Sequence, residues 1–417
     1  MRIGFDGTCL PNRRGFGRFS RLLLEALARR QTAEHQIVVI IDSPSADLVT
    51  VPEEMECVKV KLAESPSAAA SAQGRRRLGD MLAMGKAVSR QRLDLMYFPA
   101  TYTFFPVWNV PHLVVTMHDT LALAHPDLVF PTHKGRLAWL LKEHAAARFA
   151  SRIVTVSETS KRDLRAWFGL PEGKVRVITE GPDPIFQPRP RDPDGEQVLR
   201  KLGLDPGTRF LLYVGGLSPH KNLPRLIEAF WCLHATDTRL LLVGDLSDVF
   251  HTHVPEIRAT IQRLGLAERV LLTGYLPDSE LVHLYSRARA LVVPSLLEGF
   301  GLPAVEAMAC GTPVVSSRAG SLPEVVGNGG IFFDPMRIDS MALAMSQMLA
   351  DESLRNVHAR TARKRSMMFS WDRAAEALLD CFDEFASRRI RRDRGTPRGR
   401  MILHPTRTPQ ATEPTAP

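Results

Sequence analysis

Two carboxylates eight residues apart, Glu298 and Glu306, bracket a loop of glycines and a proline in the stretch LLEGFGLPAVEAMACGTPVV, residues 296–315. Pro303 suits the first turn of a helix, because its fixed φ and missing amide hydrogen are tolerated there. The EGFG loop then lies just before a helix N-terminus, where free amides can hold an anion or a hydroxyl. Glu298 stands at the loop's entrance and Glu306 about one turn into the helix, so both can reach one extended ligand at different points. A carboxylate accepting from vicinal hydroxyls is one way to hold a sugar or ribose. Most isolated pairs at this spacing are a helix-start glutamate plus a solvated one.

Three other stretches carry candidate chemistry. Lys221, in SPHKN, follows the strand-like run FLLYVGG, and His118 and Asp119 end the run HLVVTMHD. Ligands in an open parallel sheet sit beyond such carboxyl ends. Asp119 reads as a group that orients His118 or caps a helix. GFGRFS, with Gly15, Gly17 and Arg18, imitates a dinucleotide fingerprint, but TCLPNRR separates it from its strand and Ser20 replaces the third glycine. A metal-holding D-x-D pair would be Asp192 with Asp194, and this falls in a proline-rich connection.

The elements that must position these residues alternate. QIVVII at 36, LDLMYF at 93, HLVVTMHD at 112, RIVTVS at 152 and VRVIT at 175 are short apolar runs between longer helical patterns. The alternation restarts with FLLYVGG at 210, RLLLVGD at 239, RVLLTGY at 269, ALVVPS at 290, PVVSS at 313 and GIFFDP at 330. Such a pattern predicts parallel sheets covered by helices on both faces. Two Rossmann-like α/β domains, 1–185 and 197–370, joined near residues 181–196, account for it, and 417 residues is a two-domain length. Residues 64–92 read as a mobile acceptor loop or a solvated helix.

The formal charge of +9 is unevenly spread: 388–417 holds eight arginines against Asp393 and Glu413, which is +6, leaving +3 for the body. That argues against a basic face for nucleic acid and suits an anionic small ligand. Five scattered cysteines without a C-x-x-C pair read as reduced cytosolic thiols. With no leader-like start and no apolar run of membrane-spanning length, the expectation is a cytoplasmic protein. The tail from 388, rich in Arg, Pro and Thr, reads as disordered. It is either an inert extension or a peripheral contact with anionic membrane, each nearby Lys or Arg adding roughly 1 kcal/mol. Truncation after Ser387 is expected to leave the chemistry of the body intact and to lose liposome binding at low salt; unchanged liposome binding would remove the membrane reading.

PSLLEGFGLPAVEAMACGTPVVSSRAGSLPEVVGNGGIFFDP resembles the donor-binding segment of glycosyltransferase family 4, retaining enzymes of the GT-B fold. LLYVGGLSPHKNLPRLIEAF resembles the family's phosphate-binding stretch, HDTLALAHPDLVFP and RIVTVSETSKRDL its first-domain segments, and FSWDRAAEALLDCFDE its closing helix, here 371–387. The resemblance implies a donor crevice between the domains and a hexose moved from a nucleotide sugar to a glycan or lipid-linked glycan, with no metal or other cofactor. It gives Glu306 the nucleotide ribose, Glu298 the donor sugar, and the amides of Phe300, Gly301 and Leu302 the sugar hydroxyls and phosphate. It gives Lys221 the diphosphate, with Gly216 and Tyr275 completing the donor set, and places His118 beside the reacting sugar. Gly15, Gly17 and Arg18 become the first domain's glycine loop, facing the donor phosphates or the acceptor. GFGRF, HDTLALAHPDLVFP and SLPEVVGN are most like bacterial mannosyltransferases of surface polysaccharides, which favours GDP-mannose; UDP-glucose is the alternative donor. Where many relatives have an arginine beside the lysine, this chain has His220 and Gly216. A His220 facing the diphosphate would be cationic only below its pKa, about 6.5 when unperturbed, so donor affinity would weaken as pH rises. Outside this family, a dinucleotide oxidoreductase using GFGRFS and a polyanion-binding module using the tail are the competing classes.

Overall fold

The structure, a computed structural model, describes residues 1–12, 15–30, 33–63, 65–66, 77–130, 132–189, 192–246 and 253–395, with side chains not described in 387–395. Two parallel sheets dominate. The first contains β1 (Arg2–Asp6), β2 (Gln36–Asp42), β3 (Glu56–Val60), β4 (Leu95–Phe98), β5 (His112–Thr116), β6 (Arg152–Thr155) and β7 (Val175–Val177), in the order β3-β2-β1-β4-β5-β6-β7. The second contains β8 (Arg209–Val214), β9 (Thr238–Val243), β10 (Val270–Gly274), β11 (Ala290–Val293), β12 (Val314–Ser317) and β13 (Gly330–Phe333), in the order β10-β9-β8-β11-β12-β13. Central strands are buried on both faces: Val38, Val39, Ile40 and Ile41 of β2 and Leu240, Leu241 and Leu242 of β9 are fully enclosed. That is why their runs are continuously apolar rather than alternating.

Strand order reverses between β1 and β4 in the first sheet and between β8 and β11 in the second. The crevice beyond such a switch point is where a doubly wound sheet receives a ligand. Every candidate residue on β1, β5, β8 and β11 follows the carboxyl end of its strand, so the topology brings the two sets of loops to one place.

Three features depart from the sequence reading. β3 was not anticipated, because this edge strand carries exposed Glu56 and Cys57 and pairs only with β2. Residues 78–89 form a helix (Leu78–Ser89), while 64 and 67–76 lie outside the described residues. The last helix runs from Trp371 to Gly395 instead of ending at 387. Arginine is a strong helix former, and the first breakers after Trp371 are Gly395 and Pro397. This helix packs on the first domain: Arg29 of the Gly15–Arg30 helix binds Asp372 at 2.9 Å, His35 ahead of β2 binds Asp383 at 2.8 Å, and Arg176 of β7 binds Glu384 at 2.6 Å. Among the described residues, no helix is long and apolar enough to cross a membrane.

Candidate functional site

Lys221 closes a one-turn 3-10 helix, Pro219–Lys221, that follows β8. The next residue, Asn222, is left-handed (φ 59°) and buried, and its amide donates to Pro294 O at 3.1 Å and Pro335 O at 2.8 Å. These two bonds fix the turn that aims Lys221. Its Nζ reaches Glu298 Oε1 at 2.6 Å, and Ser295 Oγ donates to the same oxygen at 2.6 Å. Burial alone would raise the Glu298 carboxyl, but the Lys221 ammonium and the two hydrogen bonds hold it below its ordinary value. Gly320, at φ 57°, lets its backbone approach; a Cβ there would lie 2.5 Å from Glu298 O.

Glu306 lies in the helix Leu302–Ala309, with Gly301 at its N-cap in a left-handed conformation (φ 94°) that a side chain would strain. Pro303 occupies the first turn. Glu306 is 2% exposed, deeper than a crevice-edge residue. Arg18 reaches across from the Gly15–Arg30 helix to Glu306 Oε1 at 3.1 Å and Asp278 Oδ2 at 3.0 Å, with Phe186 beneath its guanidinium at 5.2 Å. Tyr285 donates to Glu306 Oε2 at 3.0 Å. Two carboxylates share one guanidinium here. Burial, together with Asp278 and Asp183, pushes Glu306 up to about 7 in spite of Arg18 and Tyr285. Arg18 itself is held charged by the same carboxylates, although burial opposes it.

The domains meet at further points. Gly299 packs on the first domain so closely that a Cβ would lie 2.6 Å from His118 O, and Ser160 Oγ donates to Gly299 O at 3.2 Å. Glu324 of the second domain caps the first-domain helix Glu158–Phe168, accepting from Glu158 N at 2.9 Å and Thr159 N at 3.0 Å. The helix dipole favours that carboxylate.

The other residues singled out from sequence take these positions. Enclosure and the neighbouring Lys221 push the His220 imidazole down to about 3, so His220 adds a second cation only where a diphosphate raises it again. His118 directs both ring nitrogens at protein acceptors, Nε2 at Pro99 O (3.0 Å) and Nδ1 at Glu180 Oε1 (3.6 Å), with Phe19 against its ring. Burial opposes its protonation, but Glu180 and Pro99 more than offset it and raise its pKa. These bonds fix its ring orientation within the first domain, while its side chain stays 20% exposed. Gly17 serves packing, since a Cβ would lie 1.9 Å from Asn12 O, whereas Gly15 faces open space. Asp119 accepts from Leu121 N at 2.8 Å and thereby turns the chain into the helix Leu121–Ala124. Asp192 caps the helix Pro193–Lys201 through Gly195 N (2.9 Å) and pairs with Arg287 at 3.3 Å, which explains the acidic residue without a metal.

Phe300 and Leu302 are buried beside the loop, Gly216 is exposed after β8, and Tyr275 is an exposed ring after β10. Glu180, Asn222, Asp278, Tyr285, Ser295 and Glu324 were not singled out from sequence. Only Asn222 and Ser295 carried a local signal, as neighbours of Lys221 and of the ALVVP run.

Comparison with known proteins follows the same division. Residues 13–186 match the family model described as Glycosyltransferase Family 4, and residues 194–365 match that described as Glycosyl transferases group 1. The chain is 31% identical over 283 residues to O-antigen chain mannosyltransferase B of Escherichia coli, covering 66% of this chain and 72% of that protein. It is 34% identical over 297 residues to a D-inositol 3-phosphate glycosyltransferase of Acidothermus cellulolyticus, covering 68% of this chain and 64% of that one. The latter match thus spans less than two thirds of its relative. Among solved structures, sucrose-phosphate synthase from Thermosynechococcus elongatus aligns with a TM-score of 0.73 at 21% identity, covering 93% of this chain and 100% of its own. The Anabaena protein HepE in complex with UDP-glucose aligns with a TM-score of 0.69 at 21% identity, covering 92% and 100%.

Proposed function

The chain belongs to glycosyltransferase family 4 and is a glycosyltransferase of the GT-B fold, and from that premise we propose that it transfers mannose from GDP-mannose, with retention at the anomeric carbon, to a glycan or lipid-linked glycan of a surface polysaccharide. One observation carries the donor site: the pairs Lys221–Glu298 and Arg18–Glu306 stand at the carboxyl ends of the strands where the two sheets face each other. A nucleotide sugar spans them. Its ribose hydroxyls donate to Glu306, its diphosphate takes Lys221 as counter-ion, and its sugar hydroxyls donate to Glu298. The amides of Phe300, Gly301 and Leu302, at the start of the Leu302–Ala309 helix, supply fixed positive dipoles.

The acceptor hydroxyl attacks the anomeric carbon on the face from which the diphosphate leaves, and a leaving phosphate oxygen takes its proton. The protein's part is to position both substrates and to stabilise the departing negative charge. Lys221 and helix amides meet that charge rather than a metal, so turnover is expected to survive EDTA.

Mannose is favoured by the relation to the Escherichia coli mannosyltransferase. A UDP-sugar donor is the second reading, favoured by the alignment with HepE in complex with UDP-glucose. Calorimetry with GDP and with UDP, followed by a donor screen, separates the two. Binding of GDP with turnover of GDP-mannose is the expected result; preference for UDP transfers the reading to a UDP-sugar, and binding of neither nucleotide would sink both.

A further inference from the structure

Four aromatic rings from four separate segments of the first domain form a continuous series beside the crevice. Phe16, in the first turn of the Gly15–Arg30 helix and two residues before Arg18, stacks on Tyr102 at 4.4 Å and 12°. Tyr102, in the turn that follows β4, meets Trp139 of the helix His133–Phe149 edge-on at 4.7 Å. Trp139 in turn meets Phe130 at 5.9 Å. Phe130 ends the helix Pro126–Val129, which touches the Pro219–Lys221 turn of the second domain. The series therefore runs from the Gly15–Arg30 helix to the element that touches the Lys221 turn.

A packing explanation alone does not account for these rings. All four are half-buried, and none joins the hydrophobic cores of the described residues. Polar groups fringe them. Lys142 Nζ lies 3.7 Å from the Trp139 ring centre and 5.6 Å from that of Tyr102. Next to Lys142, Glu143 is 5% exposed, lies by Thr101, and has an Oε1 that is buried with no hydrogen-bond partner. An aromatic face is electron-rich and attracts an ammonium. The C–H bonds on the apolar face of a pyranose carry the same sign of partial charge and suit the same face, while a buried acceptor oxygen without a donor suits a sugar hydroxyl.

We propose that Tyr102 and Trp139 are an acceptor-binding shelf: a pyranose ring of the acceptor glycan stacks on them, with Lys142 and Glu143 hydrogen-bonding its hydroxyls. This rests on the glycosyltransferase reading of the crevice and extends it to the first domain. The shelf fixes which acceptor hydroxyl faces the anomeric carbon, so it sets acceptor specificity and leaves donor binding to the second domain.

Saturation-transfer NMR tests it, with methyl α-D-mannopyranoside and methyl α-D-glucopyranoside as probes in the presence of saturating GDP or UDP. For the wild type, transfer to the ring C–H protons of at least one glycoside is expected. Trp139→Ala and Tyr102→Ala should weaken that glycoside's affinity about tenfold or more, while Trp139→Phe, which keeps an aromatic face, should retain it. Nucleotide Kd by calorimetry should be unchanged in all three variants, which also reports that they are folded. Equal transfer in Trp139→Ala and wild type would overturn the shelf, as would no transfer to either glycoside from a wild type that binds nucleotide. If the wild type binds neither nucleotide, the donor reading fails first, so the two failures are distinguishable.

Discussion

Replacing Lys221 with alanine is expected to lower turnover by about 100- to 1000-fold, the usual loss when one preorganised group is removed from developing negative charge. The reason is geometric. Asn222 locks the turn by binding Pro294 O and Pro335 O, so Lys221 is aimed before any ligand arrives and cannot be replaced by a neighbour. His220 is neutral in the empty protein and offers no permanent substitute cation. The same substitution strands Glu298, whose side chain is 16% exposed, without its ammonium. Stability should therefore fall as well, because an unpaired, mostly buried carboxylate is costly. The Glu298 pKa is lowered in the folded state, so the pair's stabilisation is present above the unfolded value near 4.3 and is lost as pH falls through the lower folded value. Combining Lys221→Ala with Glu298→Gln removes the stranded charge. The double variant should regain melting temperature at pH 7.5 without regaining turnover. A Lys221→Ala protein that turns over at near wild-type rate would remove the counter-ion role.

How much of this was readable beforehand depends on whether the deciding interaction is local. Strands buried on both faces announce themselves as continuous apolar runs, and among the described residues twelve of the thirteen strands lie in stretches where the sequence alone suggests one. β3 does not, since Glu56 and Lys59 face outward at a sheet edge. The Glu298–Glu306 spacing and Pro303 place a loop and a helix start within twenty residues, and both are there. What local spacing cannot hold is contact between domains. Arg18 meets Glu306 and Asp278 across the two domains, a contact that no local spacing announces. Residue type likewise gave His220 an ordinary imidazole, whereas its charge is decided by enclosure and by Lys221. Gly17 illustrates the reverse: a glycine in a ligand-like motif is needed because Asn12 leaves no room for a Cβ.

Nucleotide affinity is expected to strengthen as pH rises from 6 to 8, the opposite of what a titrating His220 would produce. In the empty protein Glu306 titrates at about 7, because burial and the surrounding carboxylates outweigh Arg18 and Tyr285. Ribose hydroxyls donate to an ionised carboxylate, so below that value binding must release a proton, and apparent Kd should rise by up to about tenfold per unit. Stability of the empty protein has the corresponding sign. The folded pKa lies above the unfolded value near 4.3, so the folded state binds the extra proton, and stability is lost as pH rises from about 5 through 7. The loss is on the order of 4 kcal/mol at most. A nucleotide should then raise the melting temperature more at pH 8 than at pH 6. The terminal phosphate of the nucleotide ionises near 6 as well, so Glu306→Gln is the reference: it retains that contribution and lacks the carboxylate. Glu306→Gln should bind nucleotide about tenfold or more weakly at pH 8, through loss of hydrogen bonds to a charged acceptor worth about 1.5–3 kcal/mol. The gap between the two proteins should close toward pH 6. His220→Gln should follow the wild-type curve throughout. Calorimetry from pH 6 to 8.5 on the three proteins decides the matter: a wild-type curve parallel to that of Glu306→Gln would exclude Glu306 as the titrating group, and a flattened His220→Gln curve would return the role to His220.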